Sequence, residues 1–153
     1  MRAVVSRVSK ASVSVGDELV GQIGKGLLIY IGISETDSEK EIKRFCHKVV
    51  NLRIFPDEND KMNLSLSDIG GGILIISNFT LYGNAKKGFR PSYIKSAPPK
   101  ISEPLYNKTV EYLRENYPLR IESGIFGAMM DVESVNDGPV NIIIDIDANV
   151  NKQ

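Results

Sequence analysis

The chain has 153 residues, of which 42% are hydrophobic and 25% charged, and its 19 Lys and Arg side chains balance 19 Asp and Glu side chains. These values are typical of one globular domain, and the balanced charge excludes binding to nucleic acid through a general positive field. The single cysteine, Cys46, excludes an intramolecular disulfide and a thiolate metal cluster. Because the chain shows no signal peptide and no run of roughly 20 apolar residues, we expect a cytoplasmic protein without a membrane span.

The first third of the chain predicts strands followed by a helix. Alternating apolar and polar residues over 2–8, 11–15 and 18–23 predict short strands joined by tight turns. The run 27–31 is apolar on both faces, which predicts a central strand of a sheet. The segment 36–38 then offers capping oxygens to a helix. The apolar residues at helical spacing in this helix are Ile42, Phe45, Cys46, Val49 and Leu52.

The rest of the chain alternates breakers with further elements. A glycine run at 70–72 precedes a second buried strand over 73–77. The segment 84–100 combines glycine, prolines and cations, so we predict a functional loop without regular structure. A second helix is predicted over 102–117, and strands recur after it. This order indicates a single α/β domain with its helices on one face of a sheet.

Two polar tracts stand out because each adjoins an apolar strand. The tract 77–83, Ser-Asn-Phe-Thr-Leu-Tyr-Gly, closes the run 73–76, and the tract 136–141, Asn-Asp-Gly-Pro-Val-Asn, precedes the run 142–144. The second tract puts a Gly-Pro step where a strand should begin, and by itself it is compatible with a tight loop. Two polar strand ends can instead build one site.

These tracts resemble those of the D-aminoacyl-tRNA deacylases, whose usual patterns are Ser-Gln-Phe-Thr-Leu and Asn-x-Gly-Pro-Val-Thr. The chain departs from the family at Asn78, where Gln is usual, at Asn141, where Thr is usual, and at Met129, where an acidic residue is common. The resemblance also covers residues 1–8, 11–15, 24–32, 53–55, 61–63 and 88–92. It implies a deacylase domain over residues 1–147 and a flexible tail over 148–153. The implied fold is a mostly antiparallel, mixed, barrel-like sheet with two main helices on one face, in a homodimer.

Conventional catalytic groups are scarce in this sequence. The only histidine, His47, lies off the apolar stripe of its helix and is predicted to be solvated, so no Ser-His-Asp or Cys-His arrangement is indicated. Asp145 and Asp147 are expected to face solvent rather than to bind a cation. Thr80 is a possible nucleophile, but no base is evident for it. We predict no metal and no cofactor.

The resemblance assigns catalysis to the first tract, at Ser77, Asn78, Phe79 and Thr80. In this interpretation the backbone N–H groups of Phe79 and Thr80 stabilise a developing oxyanion, an interaction whose loss costs about 3 to 4 kcal/mol in a characterised enzyme. An aminoacyl ester of a tRNA ribose is activated, and its neighbouring hydroxyl can help to activate water. Orientation and charge stabilisation would therefore suffice without a triad.

The resemblance assigns chiral selection to the second tract. It implies a cis peptide bond between Gly138 and Pro139 that enters the partner subunit's pocket and leaves no volume for an L side chain. Arg7 and Asn136 are expected to hold this motif, and Met130 to lie near the pocket. The plain alternatives are a surface arginine, a turn asparagine and a methionine that fills the core.

Cations and aromatic residues alternate in the loop that follows the first tract. Lys86, Lys87, Phe89 and Arg90 suit the phosphates and stacked terminal bases of an acceptor stem, which predicts RNA binding there. A solvated loop with an aromatic anchor is the alternative.

The resemblance thus implies a homodimeric hydrolase that removes D-amino acids, and mischarged glycine, from tRNA as a proofreading activity. Three alternatives stay open. The first is a tRNA-end-binding module without hydrolysis, the second a Thr80-dependent esterase for small esters, and the third a purely structural dimer.

Overall fold

The computed structural model describes residues 1–147, so the tail expected over 148–153 lies outside the described residues. The strands are β1 (Arg2–Val15), β2 (Glu18–Ile23), β3 (Gly26–Gly32), β4 (Phe55–Pro56), β5 (Met62–Leu64), β6 (Gly72–Ser77), β7 (Arg120–Ser123) and β8 (Asp131–Asp145). The helices are α1 (Glu39–Val50), α2 (Leu66–Ile69), α3 (Pro99–Asn116) and a 3₁₀ turn (Phe79–Tyr82). No helix within residues 1–147 is both long and apolar enough to cross a membrane.

Six of the strands form one mixed sheet that nearly closes into a barrel. The order is β2-β1-β3-β6-β7, and β8 pairs with β1. β1 is antiparallel to β2, β3 and β8, whereas β6 is parallel to β3 and β7. β2 approaches β7 so closely that a Cβ atom added at Gly21 would lie 3.3 Å from the Ser123 carbonyl oxygen. The expected barrel-like mixed sheet is confirmed.

The core has two layers because the central strand β3 is buried on both faces. Leu27, Ile29 and Ile31 pack with α1 and α3 in the larger cluster, while Leu28 packs in a second cluster with Leu74 of β6. Alternate side chains of a strand point to opposite faces, so an uninterrupted apolar run is what a strand covered on both sides requires. The predicted central position of this run is confirmed, as is the placement of the two main helices on one face.

The start of α1 follows from local hydrogen bonding. The Ser38 hydroxyl accepts a hydrogen bond from the Lys40 amide at 3.3 Å, and the Glu41 carboxylate accepts one from the Ser38 amide at 2.9 Å. This reciprocal cap satisfies amides that have no partner inside the helix. The hydrogen bond from the Ser38 side chain also lowers the pKa of the Glu41 carboxyl. The predicted cap is confirmed.

Several boundaries differ from those expected. The segments 2–8 and 11–15 form one strand, because the ladder with β8 resumes at Lys10, which pairs with Val135, after a register shift at exposed Ser9. α3 begins at Pro99 rather than at Ser102, since a proline at the first helical position loses no hydrogen bond. A capped helix, α2, occupies the residues before the glycine run.

The Gly138–Pro139 step was expected at the beginning of a strand. It lies within β8 instead. Ser6 of β1 pairs with Asn141 and Val8 pairs with Asn136, so the four residues 137–140 stand opposite the single residue Arg7. Such an excess on one strand is a bulge, which removes residues from the ladder and redirects them. We call residues 137–140 the β8 bulge.

Candidate active site

The turn after β6 is organised by the side chain of Asn78. The Asn78 amide donates to the Ile31 carbonyl at 2.8 Å, which joins the turn to β3. The Asn78 side-chain oxygen accepts from the Thr80 amide at 3.2 Å and from the Thr80 hydroxyl at 2.5 Å. Asn78 therefore caps the 3₁₀ turn, and it occupies both donors of Thr80.

Phe79 is the first residue of this turn, and its amide is open. Within residues 1–147, the Phe79 N–H donates to no other atom, as is usual for the first amide of a helical turn. The side chain of Phe79 is 57% exposed. Of the two amides predicted to stabilise an oxyanion, only that of Phe79 is free, because the Thr80 amide already has a partner.

Two residues that the sequence analysis did not single out hold the turn in place. Arg2 donates from Nη1 to the Leu81 carbonyl at 3.4 Å, and its guanidinium lies 5.6 Å from the centre of the Tyr82 ring. Burial raises the pKa of Tyr82 to about 12. Gly32 is buried against the turn, and a Cβ atom there would lie 3.1 Å from the Asn78 carbonyl oxygen. Only Gly32, at the end of a buried strand, carried a sequence signal of close backbone approach.

The loop over residues 83–98 folds back onto the turn through an aromatic contact. The Phe79 and Tyr93 rings meet edge to face with centroids 5.1 Å apart, and a β-bridge joins Asn84 to Ser92. Tyr93, rather than Phe89, is thus the aromatic anchor, since Phe89 is fully exposed. Beside the turn lies a groove of about 850 Å³ whose lining includes Arg2, Tyr82, Lys86 and Lys95.

The cations of this loop are available to a ligand. Lys86, Lys87 and Arg90 are all exposed, and none forms a salt bridge within the described part of the chain. The arrangement can receive phosphate groups next to the turn.

A buried arginine holds the first residue of the β8 bulge. Arg7, 8% exposed, donates from Nε to the Asp137 carbonyl at 3.2 Å and lies 3.1 Å from the Asp137 carboxylate. Its Nη1 donates to the Ile54 carbonyl at 2.6 Å. The Gly138–Pro139 peptide bond is cis, and both residues are exposed. Arg7 is therefore not the surface arginine of the plain alternative.

Asn136 lies at the same end of the bulge and bridges it to the opposite end. Its side-chain nitrogen donates to the Arg7 carbonyl at 2.9 Å and to the Val140 carbonyl at 3.4 Å. The asparagine spans the base of the bulge, so its side chain is not merely a turn former.

The remaining candidate site residues differ in how deeply they are buried. Met130 is half-buried and packs against the second core cluster. Its sulfur would lie 2.5 Å from a Cβ atom added at Gly124. Its neighbour Met129 is 91% exposed. His47 is exposed, as predicted, and so are Asp145 and Asp147. No group of three His, Cys, Asp or Glu side chains within residues 1–147 has metal-binding geometry.

The two polar tracts do not meet within one chain. Arg7, opposite the bulge, pairs with Leu27, and Leu27 pairs with Ile73, four residues before Ser77. Strand spacings of about 4.8 Å and a rise of about 3.3 Å per residue then put Gly138 roughly 15 to 20 Å from Ser77. The two tracts are therefore separate features of a single chain.

Comparison with known proteins decides the family. The sequence profile of the family described as D-Tyr-tRNA(Tyr) deacylase matches residues 4–145. The chain belongs to this family. The resemblance that was noted in the two polar tracts is thereby confirmed, and the expectation of an ester hydrolase is confirmed with it.

Relatives of the D-Tyr-tRNA(Tyr) deacylase family match almost the whole chain. A D-aminoacyl-tRNA deacylase of Fusobacterium nucleatum is 53% identical over 151 residues, which cover 98% of this chain and 99% of the relative. One from Thermosipho africanus is 52% identical over 145 residues, with 95% and 97% covered. The solved structure of the c-Myc DNA Unwinding Element Binding Protein has a TM-score of 0.91 and 41% identity, covering 97% of this chain and 100% of that one.

Proposed function

We propose that this protein hydrolyses the ester that joins a D-amino acid, or mischarged glycine, to the 3′ end of tRNA, and that it spares L-aminoacyl esters. The observation that carries the proposal is the Phe79 amide at a capped turn, which donates to no other atom within residues 1–147. The similarity to D-aminoacyl-tRNA deacylases along the whole chain supports it.

In the proposed reaction, water attacks the ester carbonyl carbon and the bond to the ribose oxygen breaks. The proton of water passes to that oxygen, so the products are a free D-amino acid and a tRNA with both terminal hydroxyls. The Phe79 N–H donates to the oxygen that gains negative charge, and the neighbouring ribose hydroxyl helps to orient water. No cofactor takes part in this proposal.

Thr80 is a positioning residue in this proposal rather than the nucleophile. Its hydroxyl donates to the amide oxygen of Asn78, which is too weak a base to activate it. Asn78, one methylene shorter than the usual Gln, here holds the Thr80 amide and leaves that of Phe79 for the substrate.

Chiral selection would come from the β8 bulge of a second copy. Because the bulge lies far from Ser77 in its own chain, we propose a homodimer in which Gly138 and Pro139 of each copy cover the other copy's turn. Backbone atoms at that position exclude an L side chain by clash, whatever its identity, while D side chains point away. Arg7 and Asn136 hold the bulge at the required place, and Met130 supports the pocket wall.

Hydrolysis of D-tyrosyl-tRNA and L-tyrosyl-tRNA, side by side and with chelator present, tests the function. We expect rapid loss of the D ester alone, and we expect Thr80→Ala to retain that activity within about ten-fold because the variant keeps the backbone donor. If Thr80→Ala abolishes hydrolysis, the hydroxyl is essential and the backbone donor does not suffice. Binding of the D ester without turnover would instead indicate a tRNA-end-binding module.

The loop cations are proposed to contact the acceptor end. Replacing Lys86 and Lys87 together by alanine should raise KM for D-tyrosyl-tRNA about ten-fold at low salt and leave kcat unchanged, since phosphate contacts contribute to binding. The matched control is the double variant Lys25→Ala, Lys48→Ala, which removes two exposed lysines elsewhere. An unchanged KM, or competition by duplex DNA as strong as by tRNA, would contradict a specific acceptor-end contact.

A further inference from the structure

The base of the β8 bulge is held by side chains because the β-ladder is interrupted there. Ser6 pairs with Asn141 on one side of the bulge and Val8 pairs with Asn136 on the other, while residues 137–140 are outside the ladder. Gly138 and Pro139 have no apolar side chain buried in the core. Their position therefore depends on the groups at the two ends of the bulge.

A directional chain of hydrogen bonds links those ends. The Ser6 hydroxyl donates to Asn141 Oδ1 at 2.6 Å, and Asn141 Nδ2 donates to Asn136 Oδ1 at 3.0 Å. Asn136 Nδ2 then donates to the carbonyls of Arg7 and Val140. Each asparagine accepts at its oxygen and donates at its nitrogen, so the chain runs in one direction from β1 across the bulge and back to β1.

On the basis of the proposed function, we propose that Asn141 is a positioning residue that sets the height of Gly138 and Pro139, and thereby the discrimination between D and L esters. Asn141 accepts a hydrogen bond from Ser6 and donates one to Asn136, so it fixes the distance between the two ends of the bulge. A clash filter depends steeply on distance, and a shift of about 1 Å can change rates by about 100-fold.

The amide is required at this position because one side chain must both accept and donate. A carboxylate of the same shape can accept from Ser6, but it presents an acceptor to the Asn136 oxygen, which repels it. Asn141→Asp therefore turns the attractive contact with the Asn136 oxygen into a repulsive one and keeps the volume of the side chain. Ser6→Ala removes the hydrogen bond at the other end of this series without adding charge.

The test measures kcat/KM for D-tyrosyl-tRNA and L-tyrosyl-tRNA together with the melting temperature. We expect Asn141→Asp to raise the L-to-D ratio of kcat/KM by about ten-fold or more and Ser6→Ala to raise it by about three-fold. The double variant should have the same L-to-D ratio as Asn141→Asp, because both changes break the same series of hydrogen bonds. Asn107→Asp, an exposed asparagine on α3, is the control for added charge and should keep the wild-type ratio.

The outcomes separate this inference from the proposed function. If the wild type hydrolyses neither ester, the proposed function itself fails. If the wild type is selective and Asn141→Asp keeps its ratio, or lowers both rates equally in step with a lower melting temperature, Asn141 is structural and the inference is wrong. Should Asn141→Asp not fold, a wild-type ratio in Ser6→Ala overturns the inference, and a relaxed ratio supports it.

Discussion

Phe79→Pro should lower kcat for D-aminoacyl ester hydrolysis by about 100- to 1000-fold, the usual cost of one oxyanion donor. Proline removes the amide hydrogen that has no partner within residues 1–147. It is tolerated at the first position of a helical turn, and the preceding Asn78, with φ −144° and ψ 93°, lies outside the helical region that proline disfavours in the residue before it. The turn should therefore keep its shape while it loses one donor.

The matched variant for this experiment is Phe79→Ala, which removes the ring but keeps the amide. We expect it to lose the edge contact with Tyr93 and to reduce kcat less than about ten-fold, because the donor is still present. Single-turnover rates with saturating protein separate chemistry from binding. Equal loss in the alanine and proline variants would show that the ring matters and that the backbone donor does not.

Gly138→Ala should lower kcat/KM for the D ester by about 100-fold, because the added carbon displaces the β8 bulge. Gly138 has φ +123°, which L residues rarely adopt, and a Cβ atom there would lie 2.9 Å from both Arg7 Nη2 and Val140 Cγ2. The bulge is exposed, so the displacement should leave the core intact. The measurement is kcat/KM for both esters, with a melting curve for each variant.

Gly16→Ala is the control for backbone strain at a positive φ. Gly16 has φ +57° and open space around its Cβ position, far from the bulge. The change should cost about 1 to 2 kcal/mol of stability and leave kcat/KM unchanged. If Gly16→Ala loses as much activity as Gly138→Ala, general destabilisation explains the effect and the bulge has no special part in selection.

Mixed dimers add a further measurement to these two variants. In a dimer of one Phe79→Pro chain and one Gly138→Ala chain, a shared site predicts one site with both defects and one site with neither. Random mixing should then restore about a quarter of the wild-type rate, since half of the dimers are mixed and each has one intact site. No recovery in verified mixed dimers would contradict a site formed by two copies.

Local patterns in the sequence predicted the features that depend on neighbouring residues. The two-sided apolar run of β3 and the Ser38 cap of α1 were predictable because periodicity and capping act over a few residues. The Asn78 cap was predictable in principle for the same reason, since a side chain that accepts from the amide two residues on is a familiar asparagine turn.

Features that depend on distant pairing were not predictable. The bulge arises because Arg7 faces four residues of β8, and the Ser6–Asn141 hydrogen bond joins residues 135 positions apart. A local reading of Gly138 and Pro139 can only indicate a break, so it placed them at a strand start rather than within a strand. The separation of the two polar tracts likewise follows from strand order, which a linear pattern does not specify.

The bulge also interrupts an edge of the sheet, because one long strand has a free side. Within residues 1–147, β8 pairs only with β1, and an uninterrupted free edge of that length would be a template for fibre growth. Residues 137–140 divide this edge into the stretches 131–136 and 141–145. Neither stretch offers a long flat row of unpaired amides and carbonyls, so the feature proposed to select the substrate also guards the chain against aggregation.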